Sequence, residues 1–196
     1  MLEDTNFYAL LSRMRYISRW GLMRCSIPEN IQEHSHEVAV YAHALGLIRR
    51  VIFHRDCDAE HLAVLALYHD ASEILTGDLP TPIKYHDPAI RSAYKEVERR
   101  ADEQLISLLP ETLRGAYGAV LHMEEEEARL VKAADKLSAL VKCMEERKAG
   151  NREFLSAERQ IREYLTAMEL PEVDWFLLHA LPAYEKNLDE LGASGL

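Results

Sequence analysis

Two imidazoles and two carboxylates with the chemistry of metal ligands are spread along this sequence, at His34, His69, Asp70 and Asp135. Each lies in a segment whose apolar residues predict a helix packed into the protein core. An unpaired imidazole or carboxylate among apolar side chains costs several kcal/mol, so these groups require a partner. Nitrogen and oxygen donors of this kind suit a catalytic transition metal, or magnesium or manganese, with room left for water.

The stretch from Leu65 to Pro82, LALYHDASEILTGDLPTP, holds the densest part of this set. We expect its apolar half to form a helix that carries His69, Asp70 and Glu73 into the interior and ends at Gly77. Glu73 lies four residues after His69 and three after Asp70, so the three side chains can converge on one side of a helix. A carboxylate one turn from metal ligands is well placed to accept a proton from water.

His34 lies in a second predicted helix, where Asn30 and Glu33 have the spacing of a capping box. The same helix face carries four apolar residues, Val38, Tyr41, Leu45 and Ile48. We therefore expect this face, with His34, to pack against the core. A histidine in such a position is otherwise a hydrogen-bonded core residue, and this alternative is open for His34 taken alone.

Two further segments are predicted as central helices. The segment from Ala59, with Asp58 as N-cap, is apolar nearly all round, which is typical of a helix covered on every side. The segment from Glu124 to Ala149 has two packing faces, and Asp135 lies on the face made of small residues. Asp135 by itself also fits a partly exposed acid.

Helical spacing of apolar residues dominates the whole chain, and no stretch alternates with period two for long enough to predict a strand. We predict an all-α, compact single-domain bundle over residues 1–196, which is long enough for one core. Its metal-binding core lies at about 28–145, followed by C-terminal packing or interface helices at about 152–191. The other predicted helices lie at about residues 5–18, 88–108, 110–121, 154–168, 173–180 and 183–191.

Composition excludes several functions. The formal net charge of −10, from 23 basic and 33 acidic residues, disfavours binding to polymeric nucleic acid. An odd number of cysteines without a C-x-x-C pair argues against disulfides and thiolate zinc sites. The start of the chain, MLEDTNFY, lacks the pattern of a signal peptide, and no apolar run approaches a membrane span. We expect a cytoplasmic protein that does not enter a membrane.

Four stretches carry a more specific pattern: SRWGLMR at 18–24, ENIQEHSHEVA at 29–39, LYHDASEILTGDLPTPIKY at 67–85 and LVKAADKLSALVKCMEE at 130–146. Together with the H…HD…D series, these resemble the bacterial 5'-deoxynucleotidases of the HD superfamily of metal-dependent phosphohydrolases. The similarity covers nearly the whole chain. It implies a helical bundle, usually a homodimer, that hydrolyses deoxyribonucleoside 5'-monophosphates to deoxynucleoside and phosphate.

The resemblance also implies roles for individual residues. One divalent ion per chain, Co, Mn, Mg, Zn or Fe, would be held by His34, His69, Asp70 and Asp135. Glu73 would orient or deprotonate the attacking water, and Arg19 would hold the phosphate. The substrate would further contact Trp20, near the sugar 2' position, the ligands His34 and Asp70, and a loop of the sugar and base pocket, Asp78, Leu79, Pro80 and Thr81.

Elementary chemistry supports the two roles proposed for Arg19 and Trp20. An arginine fork suits a phosphoryl group, although Arg15, Arg24 and Lys84 are other cations in or near these motifs. A bulky indole against C2' leaves neither space nor a hydrogen-bond partner for a ribose hydroxyl. The alternative is that Trp20 is a core or interface aromatic.

Two other functions fit the same motifs. The first keeps the metal but changes the substrate to a deoxynucleoside triphosphate, a pyrophosphate or a cyclic nucleotide, and a second metal held by His86 or His122 would favour it. The second is a non-catalytic nucleotide-binding sensor. Glu73 and Arg19 argue against a sensor, because a binding module needs no water-activating acid.

Overall fold

The computed structural model describes residues 4–84 and 87–192, and only the backbone of Thr81. The α-helices of these ranges are α1 Phe7–Leu11, α2 Ile31–Leu47, α3 Ala59–Tyr68, α4 Glu73–Thr76, α5 Thr81–Lys84, α6 Pro88–Ser107, α7 Glu111–Leu121, α8 Glu125–Lys148, α9 Leu155–Ala167 and α10 Pro171–His179. Shorter 3₁₀ or π-helical segments are Ser12–Tyr16, Ile48–Ile52, Arg152–Phe154 and Leu181–Glu185. The described ranges contain no strand, only one isolated antiparallel bridge. The all-α prediction is confirmed.

Helix α2 begins where the capping box predicts. The Asn30 side chain accepts hydrogen bonds from the backbone N–H groups of Gln32 and Glu33, and Glu33 accepts one from Asn30 in return. Further along, α2 lies so close to α3 that a Cβ on Gly46 would stand 2.7 Å from the Cα of Ala59. Gly46 therefore permits the close packing of α2, which carries His34, against α3, which ends directly before His69.

Buried apolar side chains form two clusters in the described part of the chain. The larger joins α2, α3, α8 and α10 with parts of α9 and the segment Leu181–Glu185. The smaller packs Phe7 of α1 and Ala71 against Leu105 and Leu109 near the end of α6. Within these ranges, no helix is both long and apolar enough to cross a membrane.

The structure corrects the prediction that α3 is covered on every side. One side packs against α2 and α8, but Val64 and Leu67 on the other side are 39% and 43% exposed. Hydropathy reports only how apolar a helix is, and it does not say whether this chain supplies a neighbour for each face.

The Leu65 to Pro82 stretch also differs from the predicted continuous helix. Helix α3 ends at Tyr68, residues 69–72 form a turn, and Glu73 begins the separate helix α4. Within this turn the N–H of Ala71 donates to the Tyr68 carbonyl, three residues back. The tighter turn breaks the regular helical spacing, so the positions of His69 and Asp70 do not follow from it.

Three other predicted helices are partly wrong. The first, predicted to about residue 18, is α-helical only to Leu11 and continues as the 3₁₀ segment Ser12–Tyr16. In α6 the apolar residues Ile90, Val97, Ala101 and Leu105 follow helical spacing, which predicts one buried face, but Ile90 and Val97 are exposed. The helix predicted for 183–191 is replaced by the 3₁₀ segment Leu181–Glu185 and turns.

Candidate metal centre and substrate pocket

The first ligand candidates meet at the end of the α2–α3 pair. His34, His69 and Asp70 each direct one donor atom to a common point, and these atoms lie within 4.8 Å of one another. No other group of this kind occurs in residues 4–84 and 87–192. His34 is completely buried, and the Nε2 atoms of both histidines are buried without a well-formed hydrogen bond. Buried polar atoms of this type need a partner that the protein does not provide.

Asp135 reaches this point from α8. Its Oδ1 atom lies 3.2 Å from His34 Nε2, whereas the nearest oxygen of Asp70 lies 3.6 Å from the same nitrogen. The other oxygen of Asp135 forms an ion pair with Lys132 at 2.6 Å and lies 3.6 Å from the Lys136 ammonium. The structure thus brings together all four residues that the sequence singles out as possible ligands.

Electrostatics keep the carboxylates of this group ionised. Burial opposes ionisation of Asp70, but the neighbouring His69 and His34 hold its pKa below the ordinary value. Burial likewise opposes ionisation of Asp135, and Lys132 and Lys136 overcome it and lower the pKa. Ionised carboxylates beside two imidazoles suit a divalent cation.

Glu73 lies at the start of α4 and is only 7% exposed. One of its carboxylate oxygens is buried without a hydrogen-bond partner. Burial, together with the negative charges of Asp70 and Asp78, raises the pKa of Glu73 to about 10. The predicted water-activating acid is therefore next to the candidate ligands in a site that disfavours its charge.

Arg19 and Trp20 stand on the segment between α1 and α2 and share one anchor, Glu29. The Glu29 carboxylate accepts hydrogen bonds from Arg19 Nη1 at 3.0 Å and from Trp20 Nε1 at 2.6 Å. Trp20 has a φ angle of 62°, which is rare for a bulky residue and costs about 1–3 kcal/mol. Packing on Phe154, with ring centroids 5.2 Å apart, helps to hold it there.

A buried ion pair fixes the rest of this segment to α8. Lys142 and Glu146 are 2.6 Å apart with almost no exposed side-chain surface. Glu146 also accepts hydrogen bonds from the backbone N–H groups of Ser26 and Ile27, and Lys142 donates to the Ile27 carbonyl. The segment that presents Arg19 is thus tied to the helix that carries Asp135.

A pocket of about 510 Å³ opens beside this group of residues. It is lined by four residues of the predicted substrate site or its loop, Arg19, Trp20, Asp78 and Pro80. Burial raises the pKa of the Asp78 carboxyl, and the nearby Trp20 backbone counters part of this rise. Leu79 is half-buried but does not line the pocket, and the Thr81 side chain lies outside the described residues.

Within the described ranges, the other basic residues and histidines considered from the sequence do not join the ligand group or the pocket lining. Arg15 and Arg24 are exposed and absent from the pocket lining, and Lys84 forms an ion pair with Glu98 at 2.6 Å. His122 is exposed at the end of α7 and does not join the ligand group. His86 lies outside the described residues. Arg19 is thus the arginine of these motifs that faces the pocket.

Several residues in or beside the pocket are not predicted from the sequence. Glu29, the anchor of Arg19 and Trp20, begins the motif at 29–39, but nothing in that motif marks it as their partner. Lys136 lines the pocket directly after Asp135, and its position beside a ligand candidate was the available signal. Helix α9, predicted only to pack, contributes Ala157, Gln160 and Ile161 to the lining. Amphipathicity marks a face of α9 as covered, but it does not say that a cavity lies beneath it.

This fold and ligand group define an HD-domain phosphohydrolase, and solved structures share the architecture. An HD-domain phosphohydrolase from Listeria innocua superposes with a TM-score of 0.80, at 25% identity over 96% of each chain. The HD phosphohydrolase DatZ of cyanophage S-2L, solved with dA and one catalytic Zn²⁺, has a TM-score of 0.66 at 22% identity over 95% of this chain and all of its own.

Sequence comparison narrows this class to a family. The profile of the YfbR-like 5'-deoxynucleotidases matches residues 6–184. A 5'-deoxynucleotidase of Yersinia pestis is 45% identical over 195 residues, which is 98% of this chain and 99% of the relative. The chain belongs to the YfbR-like 5'-deoxynucleotidase family, and the resemblance seen in its motifs is confirmed.

Proposed function

We propose that this protein hydrolyses deoxyribonucleoside 5'-monophosphates to a deoxynucleoside and phosphate at the metal centre described above. Family membership supports the reaction class. The observation that carries the assignment to this site is the meeting of His34, His69 and Asp70 beside the pocket that Arg19 and Trp20 line. Ligands for a cation and groups for a nucleotide thus occur side by side.

The residues present fit a divalent metal ion. His34 and His69 offer unpartnered Nε2 atoms, and Asp70 and Asp135 offer ionised carboxylates. A pKa near 10 keeps Glu73 protonated at neutral pH, so it can accept a proton only with a positive charge beside it. When bound, such an ion supplies a more acidic water and polarises a phosphoryl oxygen.

Side chains of the protein perform the other steps of the proposed reaction, which are proton acceptance and substrate binding. Glu73 accepts a proton from the attacking water at its buried, unpartnered oxygen. Arg19 donates to the phosphoryl oxygens, where negative charge must be held in place. Lys136, which also lines the pocket, adds a second positive charge on that side. Asp78 lines the same pocket, where it accepts a hydrogen bond from the sugar 3'-hydroxyl.

A substrate panel tests this proposal. The hydrolysis products of dAMP, AMP, dATP, inorganic pyrophosphate and cyclic AMP are separated and quantified, each with Mn²⁺ or Co²⁺. We expect dAMP to be hydrolysed faster than every other compound, because in this proposal Arg19 holds a single phosphoryl group and Trp20 excludes a 2'-hydroxyl. Faster cleavage of dATP, pyrophosphate or the cyclic nucleotide would support the alternative phosphohydrolase, and no turnover with any metal would support the sensor.

Trp20 is proposed as the group that rejects ribonucleotides. We expect Trp20→Ala to lower the ratio of kcat/KM for dAMP over AMP about tenfold or more, because the pocket gains space for the 2'-hydroxyl. The chain's second tryptophan, Trp175 on α10, is the matched control. Trp175→Ala should keep the wild-type ratio, and an unchanged ratio in Trp20→Ala would assign selectivity to other residues.

The assembly is proposed as a cytoplasmic homodimer of single-domain chains. Exposed apolar side chains on the C-terminal helices support a partner surface, with Tyr164 46% and Leu178 69% exposed. Two protomers that cover such residues would remove apolar surface from water.

A further inference from the structure

A chain of polar side chains leads away from the ligand group at the Nδ1 atom of His34. This atom lies 3.0 Å from Ser138 Oγ on α8, and Ser138 donates to Glu37 Oε2 at 2.6 Å. Tyr41 donates to the other oxygen of Glu37 at 2.9 Å, and its hydroxyl oxygen lies 2.9 Å from that of Tyr184. Because the one hydroxyl proton of Ser138 is donated to Glu37, Ser138 can only accept a hydrogen bond from His34.

A hydrogen bond in this direction favours one of the two tautomers of His34. A neutral imidazole carries one proton, on either Nδ1 or Nε2. If Ser138 accepts from Nδ1, the lone pair is on Nε2, which lies 3.2 Å from Asp135 and 3.6 Å from Asp70. A metal ligand needs its lone pair on that nitrogen.

Arg19 favours the opposite tautomer. Its Nη1 atom lies 2.7 Å from the same Nδ1 atom of His34, and a guanidinium group only donates. With Arg19 as donor, the lone pair is on Nδ1 and the proton is on Nε2, where it points at the candidate ligands. Ser138 and Arg19 thus compete for one atom of a completely buried ring.

We infer that Ser138, oriented by Glu37, is a positioning residue that sets the metal-binding tautomer of His34 once the opposing hydrogen bond from Arg19 to Nδ1 is released. The inference rests on the metal site proposed above. It couples two parts of that site, because a substrate anion that draws Arg19 away from His34 also leaves Nδ1 to Ser138. Glu37 lies three residues after His34 on α2, so it holds Ser138 from the same helix that carries the ligand.

Metal affinity is the first test. Mn²⁺ binding to the chelator-treated protein is measured by calorimetry for the wild type, Ser138→Ala and Ser35→Ala. We expect Ser138→Ala to weaken binding about tenfold, as is usual when the hydrogen-bond partner of a ligating histidine is lost. Ser35 is the matched control, because it is 2% exposed on α2 and its hydroxyl has no hydrogen-bond partner. Ser35→Ala should bind Mn²⁺ as the wild type does.

The second test observes the tautomer directly, by ¹⁵N NMR of the imidazole groups in the metal-free protein, with His34 assigned by its loss in His34→Gln. We expect the His34 proton on Nε2 in the wild type and on Nδ1 in Arg19→Met. In Arg19→Met with Ser138→Ala it should return to Nε2. These spectra report on folded protein and do not depend on turnover.

The outcomes separate this inference from the proposed metal site. A wild-type protein that binds no Mn²⁺ would overturn the metal site itself. A wild type that binds Mn²⁺ with the same affinity as Ser138→Ala, or an Arg19→Met protein with an unchanged His34 tautomer, would overturn only the role of Ser138.

Discussion

Glu73→Gln should lower kcat for dAMP by about 10²–10⁴-fold, the usual contribution of a general base. The amide has nearly the shape of the carboxylate but cannot take a proton from water. Glu73 is not among the donor atoms that meet within 4.8 Å, so Mn²⁺ affinity should stay at the wild-type value. Steady-state phosphate release and calorimetry on the same preparation measure the two quantities.

The matched control for this variant is Glu145→Gln. Glu145 lies on α8, the helix that carries Asp135, but its side chain is exposed. The control should keep wild-type kcat and Mn²⁺ affinity. Near-normal turnover in Glu73→Gln would remove Glu73 as the proton acceptor, and a parallel loss of Mn²⁺ binding would make it a ligand.

Removal of the metal should abolish phosphate release from dAMP, and Mn²⁺ or Co²⁺ should restore it. Water without a bound cation has a pKa near 16, whereas a catalytic metal lowers it to about 7. The cation also provides the positive charge that Glu73 needs to ionise in its buried site. The experiment compares turnover after dialysis against a chelator with turnover after each metal is added back.

A spectroscopic control separates loss of the ion from loss of the fold. The two apolar clusters contain none of the four ligand candidates, so the chelated protein should keep its helical circular dichroism. His69→Ala, which lacks one donor, should remain inactive when the same metal is added. Full activity in the chelated protein would contradict a metal-dependent reaction.

Local sequence determines the helix starts, the buried helix faces and the fold class of this protein. The capping box of Asn30 and Glu33, the N-cap at Asp58 and the two faces of α8 are all present as predicted, because each depends on residues within a few positions. The candidate ligands and the family motifs can also be recognised in the sequence, because they are defined by residue type and order. The all-α class follows from the apolar spacing alone.

Only the tertiary structure decides how these parts meet. The left-handed backbone of Trp20 is held by contacts of its side chain with Glu29 and Phe154. Ala71, in the turn after His69, packs against Leu105 and Leu109. The exposed side of α3 could not be predicted, because burial depends on which elements pack against a helix and not on the helix itself.

In the candidate site, too, the sequence identifies the residues and the tertiary structure decides their contacts. Sequence by itself names His34, His69, Asp70 and Asp135 and the reaction that such residues support. It does not show that Arg19 and Ser138 meet at one nitrogen of His34, 15 and 104 residues away along the chain. Hydrogen bonds of this kind require positions accurate to a fraction of an ångström, and only the packed core provides that accuracy.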